Sequence, residues 1–205
     1  KSGAPEARRH RTFTHPCHAA GPQIKSRHHA SVAFPPNLVN AMIQSSLAEL
    51  IQRLNAAHIR YMTVGGLAVN AHGFLRMTVD VDLILALDGQ NLTAAIAILK
   101  DMGYLPKVPV SLDDVADPAR RAEWAARNMQ VLGLRSERHR ETDVDIFLAD
   151  PLGFDAAYQR VLWFDIGGPD KLPVCSYDDL VALKRIAGRP KDLADLLQLE
   201  KARQR

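Results

Sequence analysis

Apolar residues recur along this chain at two periods, and the changes between them divide it into elements. Asn37 offers an N-cap side chain, and Ile43, Leu47, Leu50, Ile51 and Leu54 then fall at i, i+4, i+7, i+8 and i+11, one face of a helix. His58 to Val64 reads as a strand that stops at Gly65-Gly66. A short helix over Leu67–His72 follows, with Gly73 as its C-terminal cap. Thr78 to Leu87 alternates and is rich in β-branched residues, the pattern of a strand. A helix over Gln90–Met102 aligns Leu92, Ile96, Leu99 and Met102 and ends at Gly103. Residues 104–118, rich in Pro and Asp, read as a loop. A polar helix over about 118–128 follows, with Trp124 on its core side. Met129–Leu134 and Thr142–Leu148 form a hairpin pattern around the charged turn Arg135–Arg140. The last third reads as mostly helical. Ser176 and Asp179 make a capping box, Leu180, Leu183 and Ala187 form a buried stripe, and Gly188 ends that helix. Pro190 then opens a last helix whose Leu193, Leu196 and Leu197 are expected to pack inward.

Residues 1–36 show neither period and end in Pro35-Pro36, so they are expected to be an unstructured tail. Charge supports that division. The chain carries 26 Lys and Arg against 23 Asp and Glu, yet residues 1–30 alone hold six basic residues and one acidic. The remainder holds 20 basic against 22 acidic residues, so the basic balance belongs to the tail and gives no sign that the folded body binds nucleic acid. No stretch reaches the ~20 apolar residues of a membrane span, and no apolar segment follows the basic start as in a secretory signal. Two cysteines, Cys17 and Cys175, make no disulfide framework, and a reducing cytoplasm is the expected compartment.

The chemistry gathers in carboxylates and glycines. Asp80 and Asp82 are two apart on a predicted strand, so both leave the same face, roughly 7 Å apart, while Val81 and Leu83 take the other. Asp145 lies on a second strand between Val144 and Ile146, and Asp143 shares its face as the alternate carboxylate. Three carboxylates converging on one sheet face either raise their pKa values or recruit a cation. Mg²⁺ prefers hard oxygen ligands, with substrate phosphates completing the shell. Alone, Asp-x-Asp is better described as a solvated strand face. Gly65-Gly66, about fifteen residues upstream between a strand and a helix, adds backbone N–H groups and a helix N-terminus to which a phosphate can come close.

The run from Gly65-Gly66 through His72-Gly73, Arg76 and Thr78 to Asp80-Val81-Asp82 resembles the first motif of the polymerase-β nucleotidyltransferase superfamily. It is most similar to the AbiEii-like branch of toxin–antitoxin nucleotidyltransferases. Asp145 matches that family's third carboxylate. Lys184-Arg185, Gly188-Arg189, Lys191-Asp192 and Asp195 resemble the branch's C-terminal signature. The resemblance implies an α/β (α+β) fold: a mixed β-sheet nucleotidyltransferase core over 37–150, flanked by helices, with a C-terminal helical region over 151–205 packed on it. It implies Mg²⁺ on Asp80, Asp82 and Asp145, with Asp145 completing a second metal site or acting as base. Gly65 and Gly66 bind triphosphate through backbone N–H groups. Arg76, Thr78 and Lys184 reach phosphate, and Asp192 is structural or holds Lys184 or Arg189 in place. Many catalytic members carry Ser where this chain has Gly66, which leaves phosphate binding there to the backbone. His72 reads as helix-end packing.

The activity so implied is transfer of NMP from an NTP to an acceptor, the 3′ end of tRNA, by a toxin that pairs with an antitoxin protein. Arg120, Arg121, Arg127, Arg135, Arg138 and Arg140 are candidates for a basic acceptor surface, although Glu123, Glu137 and Glu141 are interleaved with them. Transfer to a hydroxyl of a protein or small molecule, and a catalytically silent nucleotide-binding interaction module, are the competing readings.

Overall fold

In the computed structural model, the structure describes residues 31–33, 45–166 and 168–204. The elements are β1 (Ser31–Ala33), α1 (Ser45–Ala56), β2 (Tyr61–Thr63), α2 (Gly65–Ala71), β3 (Asp80–Leu85), α3 (Gly89–Asp101) and β4 (Tyr104–Pro106). A 3₁₀ turn (Asp113–Ala116) leads to α4 (Pro118–Ala126), β5 (Val131–Ser136), β6 (Asp143–Phe147) and α5 (Phe154–Tyr158). Then come β7 (Leu162–Asp165), β8 (Lys171–Val174), α6 (Tyr177–Ala187) and α7 (Pro190–Arg203). The strands form one sheet in the order β1-β7-β8-β2-β3-β6-β5-β4. β3 pairs parallel with β6 and antiparallel with β2, and β5 pairs antiparallel with β6 and β4. The fold is therefore the α/β architecture with a mixed sheet that the sequence led us to expect.

Alternation sets the faces of the central strands. Val81, Leu83, Val144 and Ile146 are at most 3 % exposed and join one hydrophobic cluster with Leu50, Ile51 and Leu54 of α1 and Leu92, Ile96 and Leu99 of α3. The caps follow local chemistry. Asp88 accepts the N–H of Asn91 at the start of α3, and Asp117 accepts that of Ala119 ahead of Pro118 in α4. Ser176 accepts the N–H of Asp179, Gly188 closes α6 at φ +60°, and Pro190 opens α7, all as the sequence indicated. Trp124 is buried. Among the described residues no helix is long and apolar enough to cross a membrane.

Four expectations need correction or restriction. Ser31–Ala33, within the stretch read as an unstructured tail, pair in parallel with β7, while the rest of that stretch and the Asn37 cap lie outside the described residues. Residues 104–118 are not all loop: Tyr104 is fully buried and donates its hydroxyl to the Thr142 carbonyl at 2.9 Å, which holds β4 at the sheet edge. The stretch 151–205 is not purely helical, because β7 and β8 join the core sheet through the Thr63–Val174 pairing. Pro173 lacks an N–H and breaks the strand pattern of β8, which hid it.

The leucines of α7 do not pack inward. Leu193 and Leu197 are 53 % and 61 % exposed, and Leu196 is only partly covered. With Tyr177 and Val181 of α6 these leucines line an open groove of about 670 Å³ that none of the clustered carboxylates borders. The inward face of α7 instead carries Asp192, Asp195 and Leu199. Likewise on α6, Leu180 is buried and Leu183 partly so, but Ala187 is exposed and Lys184 is buried. The reason is electrostatic: a buried cation on α6 and a partly buried one on the loop before β3 need counter-charges, and α7 turns its carboxylates toward them.

Candidate active site

The parallel register of β3 and β6 sets Asp80 opposite Asp143 and Asp82 opposite Asp145. All four side chains leave the face opposite Val81, Leu83, Val144 and Ile146. With neighbouring strands ~4.8 Å apart and same-face residues ~7 Å apart, they mark the corners of a small rectangle. Asp143, read from sequence as an alternate to Asp145, is thus a full member of the cluster. Crowding shows in the proton affinities. Burial, then the charge of Asp145, push the Asp82 carboxyl up to about 6; the Gly66 N–H and Lys184 pull against this and Asp80 adds to it. Asp145 is also raised, by burial first, with Asp80 and Asp143 adding and Lys107 and Arg189 opposing.

The two glycines are required by close approach. Gly65 sits at φ +61°, and a Cβ there would fall 1.9 Å from Asp82 Oδ2. A Cβ on Gly66 would fall 2.3 Å from Thr78 Oγ1, and the Gly66 N–H donates to Asp82 Oδ2 at 3.4 Å. Thr78 precedes β3 and faces inward, as does Arg76, whereas Leu75, Met77 and Val79 between and beside them are exposed.

The basic residues divide between two sides. On the Gly-Gly side, Arg76 donates from Nε and Nη2 to both carboxylate oxygens of Asp195, at 2.8 and 3.0 Å. Lys184, 5 % exposed, donates to Asp195 Oδ2 at 2.7 Å and Asp192 Oδ1 at 3.2 Å, and Arg189 donates to Asp192 Oδ2 at 2.7 Å. Arg76, expected at phosphate, is therefore held by a carboxylate. Lys184 lies near enough for Asp82 to feel its charge, and Asp192 holds both Lys184 and Arg189. Burial raises the Asp192 carboxyl, but Arg189 and Lys184 outweigh it and the net shift is downward.

On the other side stands Lys107, which the sequence reading missed inside its presumed loop. Its Nζ lies 2.8 Å from Asp143 Oδ2 and 4.0 Å from Asp145 Oδ1. The available signal was Leu105 and Lys107 flanking Pro106, an edge-strand pattern. Asp195, the last residue of the C-terminal signature, is three residues from Asp192, which puts both on one helical face.

Other candidates resolve into structure. His72 bonds the Cys175 carbonyl at 2.9 Å and packs edge-on against Phe164 and Tyr177; burial keeps its imidazole neutral to lower pH, and the Cys175 carbonyl only partly opposes this. The arginines proposed as a basic surface are largely engaged. Arg121 is buried on the Val115 carbonyl, Arg120 and Arg127 pair with Glu123, Arg140 pairs with Glu137, and Arg138 bonds the Asp101 carbonyl. Arg135 is exposed, and it shares a β5 face with Gly133, the partner of Asp145.

Whether Mg²⁺ suits these residues turns on donor type and posture. The donors are all carboxylate oxygens, and their mutual repulsion is the condition a hard cation relieves. Among the described residues no three acidic, histidine or cysteine side chains converge on one point. Asp82 is turned to Gly65 and Gly66, and Asp143 to Lys107. The backbone register suits a shared ion, and the side chains are turned to protein partners.

No protein-family model matches the chain, and no curated protein matches it in sequence. Solved structures that resemble it are nucleotidyltransferases by name. The lincosamide antibiotic adenylyltransferase LnuA, bound to lincomycin, is similar at TM-score 0.48 and 15 % identity over 78 % of this chain and 97 % of that one. ANT(2″)-Ia in complex with adenylyl-2″-tobramycin is similar at TM-score 0.48 and 13 % identity over 82 % and 93 %. A protein of Thermotoga maritima provisionally described as a nucleotidyltransferase is similar at TM-score 0.46 and 15 % identity over 85 % and 99 %.

Proposed function

We propose that this chain is a Mg²⁺-dependent nucleotidyltransferase that moves NMP from an NTP to an acceptor hydroxyl. The observation that carries the reading is the paired register of Asp80, Asp82, Asp143 and Asp145 beside Gly65-Gly66. Asp80, Asp82 and Asp145 would hold Mg²⁺, which when bound supplies charge neutralisation for the triphosphate. Gly65 and Gly66 bring backbone N–H groups close to phosphate, with Thr78 at their side. Lys184 and Arg189, tethered by Asp192 and Asp195, supply positive potential on the same side, and Arg76 holds the loop through Asp195. The acceptor oxygen attacks the α-phosphorus as the bond to pyrophosphate breaks. Asp145 would complete the metal site or take the hydroxyl proton.

The finer reading is that the acceptor is the 3′ end of tRNA and that the protein is a toxin restrained by an antitoxin. It rests on the sequence resemblance and on the exposed Arg135, which puts positive charge on the Asp145 side. The test is incubation of the chain with each labelled NTP and Mg²⁺ in the presence of total tRNA, protein and small-molecule hydroxyl acceptors, followed by separation of the three fractions. Label in tRNA that is lost with Asp80→Ala is the expected result. Label in another fraction would replace the acceptor, and no transfer from any of the four NTPs would refute the activity.

A further inference from the structure

The cluster is not four bare carboxylates. Lys107 follows the edge strand β4, and its backbone N–H bonds the Gly133 carbonyl at 2.8 Å. From there its side chain crosses β5 to reach Asp143 and Asp145. It can do so because residue 133 has no side chain: a Cβ there would lie 3.0 Å from Lys107 Cδ and 3.2 Å from Asp145 Oδ1. The strand opposite Asp145 is thus bare where the lysine stem lies over it.

We infer that Lys107 is the resident counter-ion of the Asp143–Asp145 half of the cluster, a positioning residue that keeps divalent metal out until nucleotide phosphates arrive. This rests on the proposed metal site and adds to it the order of loading. An ammonium 2.8 Å from Asp143 and 4.0 Å from Asp145 repels a second cation seeking the same oxygens. It also ties Asp143 away from the ion, which leaves Asp80, Asp82 and Asp145 as ligands. With the NTP bound, its phosphates would supply the further oxygen ligands that let Asp80, Asp82 and Asp145 hold a metal against this charge.

The experiment titrates the nucleotide-free, full-length protein with Mn²⁺, following free Mn²⁺ by electron paramagnetic resonance, for wild type, Lys107→Met and Lys107→Arg. Expected is weak binding by wild type and Lys107→Arg, and binding at least tenfold tighter by Lys107→Met. With ATP present the gap between wild type and Lys107→Met narrows. A thermal melt of each variant establishes folding, and Lys107→Gln, equally uncharged, takes the place of the methionine variant if that one melts early. Mn²⁺ affinity of Lys107→Met equal to or weaker than wild type, with Mn²⁺–ATP still bound by both, overturns the role of Lys107 and leaves the metal site standing. Absence of Mn²⁺ binding by every protein, with and without ATP, overturns both.

Discussion

Replacing Asp82 by Asn is expected to stabilise the metal-free protein at pH 8 while abolishing its chemistry. In the folded chain the Asp82 carboxyl is raised from its usual 3.8 to about 6 by burial and by Asp145. Each pH unit of such a change corresponds to about 1.4 kcal/mol, so holding the ionised group costs the folded state about 3 kcal/mol once fully expressed. Asparagine keeps an acceptor for the Gly66 N–H and removes the charge. The sign follows from proton binding. Below about pH 4 the carboxyl is protonated in both states and the cost is absent. Between pH 4 and 6 the unfolded carboxyl ionises first and the cost grows; above 6 it is constant. For a chain of this size about 3 kcal/mol corresponds to a melting-temperature rise of roughly 6–12 °C. The assay is thermal unfolding in EDTA at intervals from pH 4 to 8. The Asn variant should match wild type at pH 4 and exceed it at pH 7 and above. Lower stability at pH 8, or a gap independent of pH, would refute the argument that Asp82 is held at an electrostatic cost which a cation relieves.

Three further outcomes follow from the same geometry. Gly65→Ala places a Cβ against Asp82 Oδ2 at a backbone φ of +61°, so it should cost at least about 1–2 kcal/mol in urea unfolding and weaken NTP binding by calorimetry. Asp195→Ala leaves Arg76 and Lys184 short of a shared, buried counter-charge and should destabilise by about 3–5 kcal/mol in the same denaturant assay; a loss under 1 kcal/mol would mean that Asp192 alone suffices. Leu193→Ser with Leu197→Ser, on the outer face of α7, should change stability by no more than about 0.5 kcal/mol per site, whereas a loss of several kcal/mol would restore the inward packing first expected for these leucines.

The sequence was most legible where local rules act alone. Alternation in β3 and β6 identified which aspartates share a face, and Ser176, Gly188 and Pro190 marked helix ends through backbone chemistry confined to a few residues. What it could not give was register. Nothing local says that Asp80 meets Asp143, which is what makes Asp143 part of the cluster. It failed for α7 because its leucines carried the apolar signal, while the carboxylates answer cations on other elements, Arg76 119 residues earlier and Lys184 on α6. It failed for Lys107 because β4 is short, contains a proline and is held by the burial of Tyr104, a tertiary contact. Where each proposed site residue stands in the folded chain therefore depended on pairings across the sheet and between helices.

The acidic inner face of α7 has a consequence for how damage to this chain would be read. A cut at Gly188, the left-handed link between α6 and α7, would release both Asp192 and Asp195 and nothing from the carboxylate cluster. Lys184, whose charge Asp82 already feels, would lose both of its counter-charges, and Arg76 would lose the carboxylate that holds it. The shortened protein would score as a catalytic loss although all four clustered aspartates and both glycines were intact.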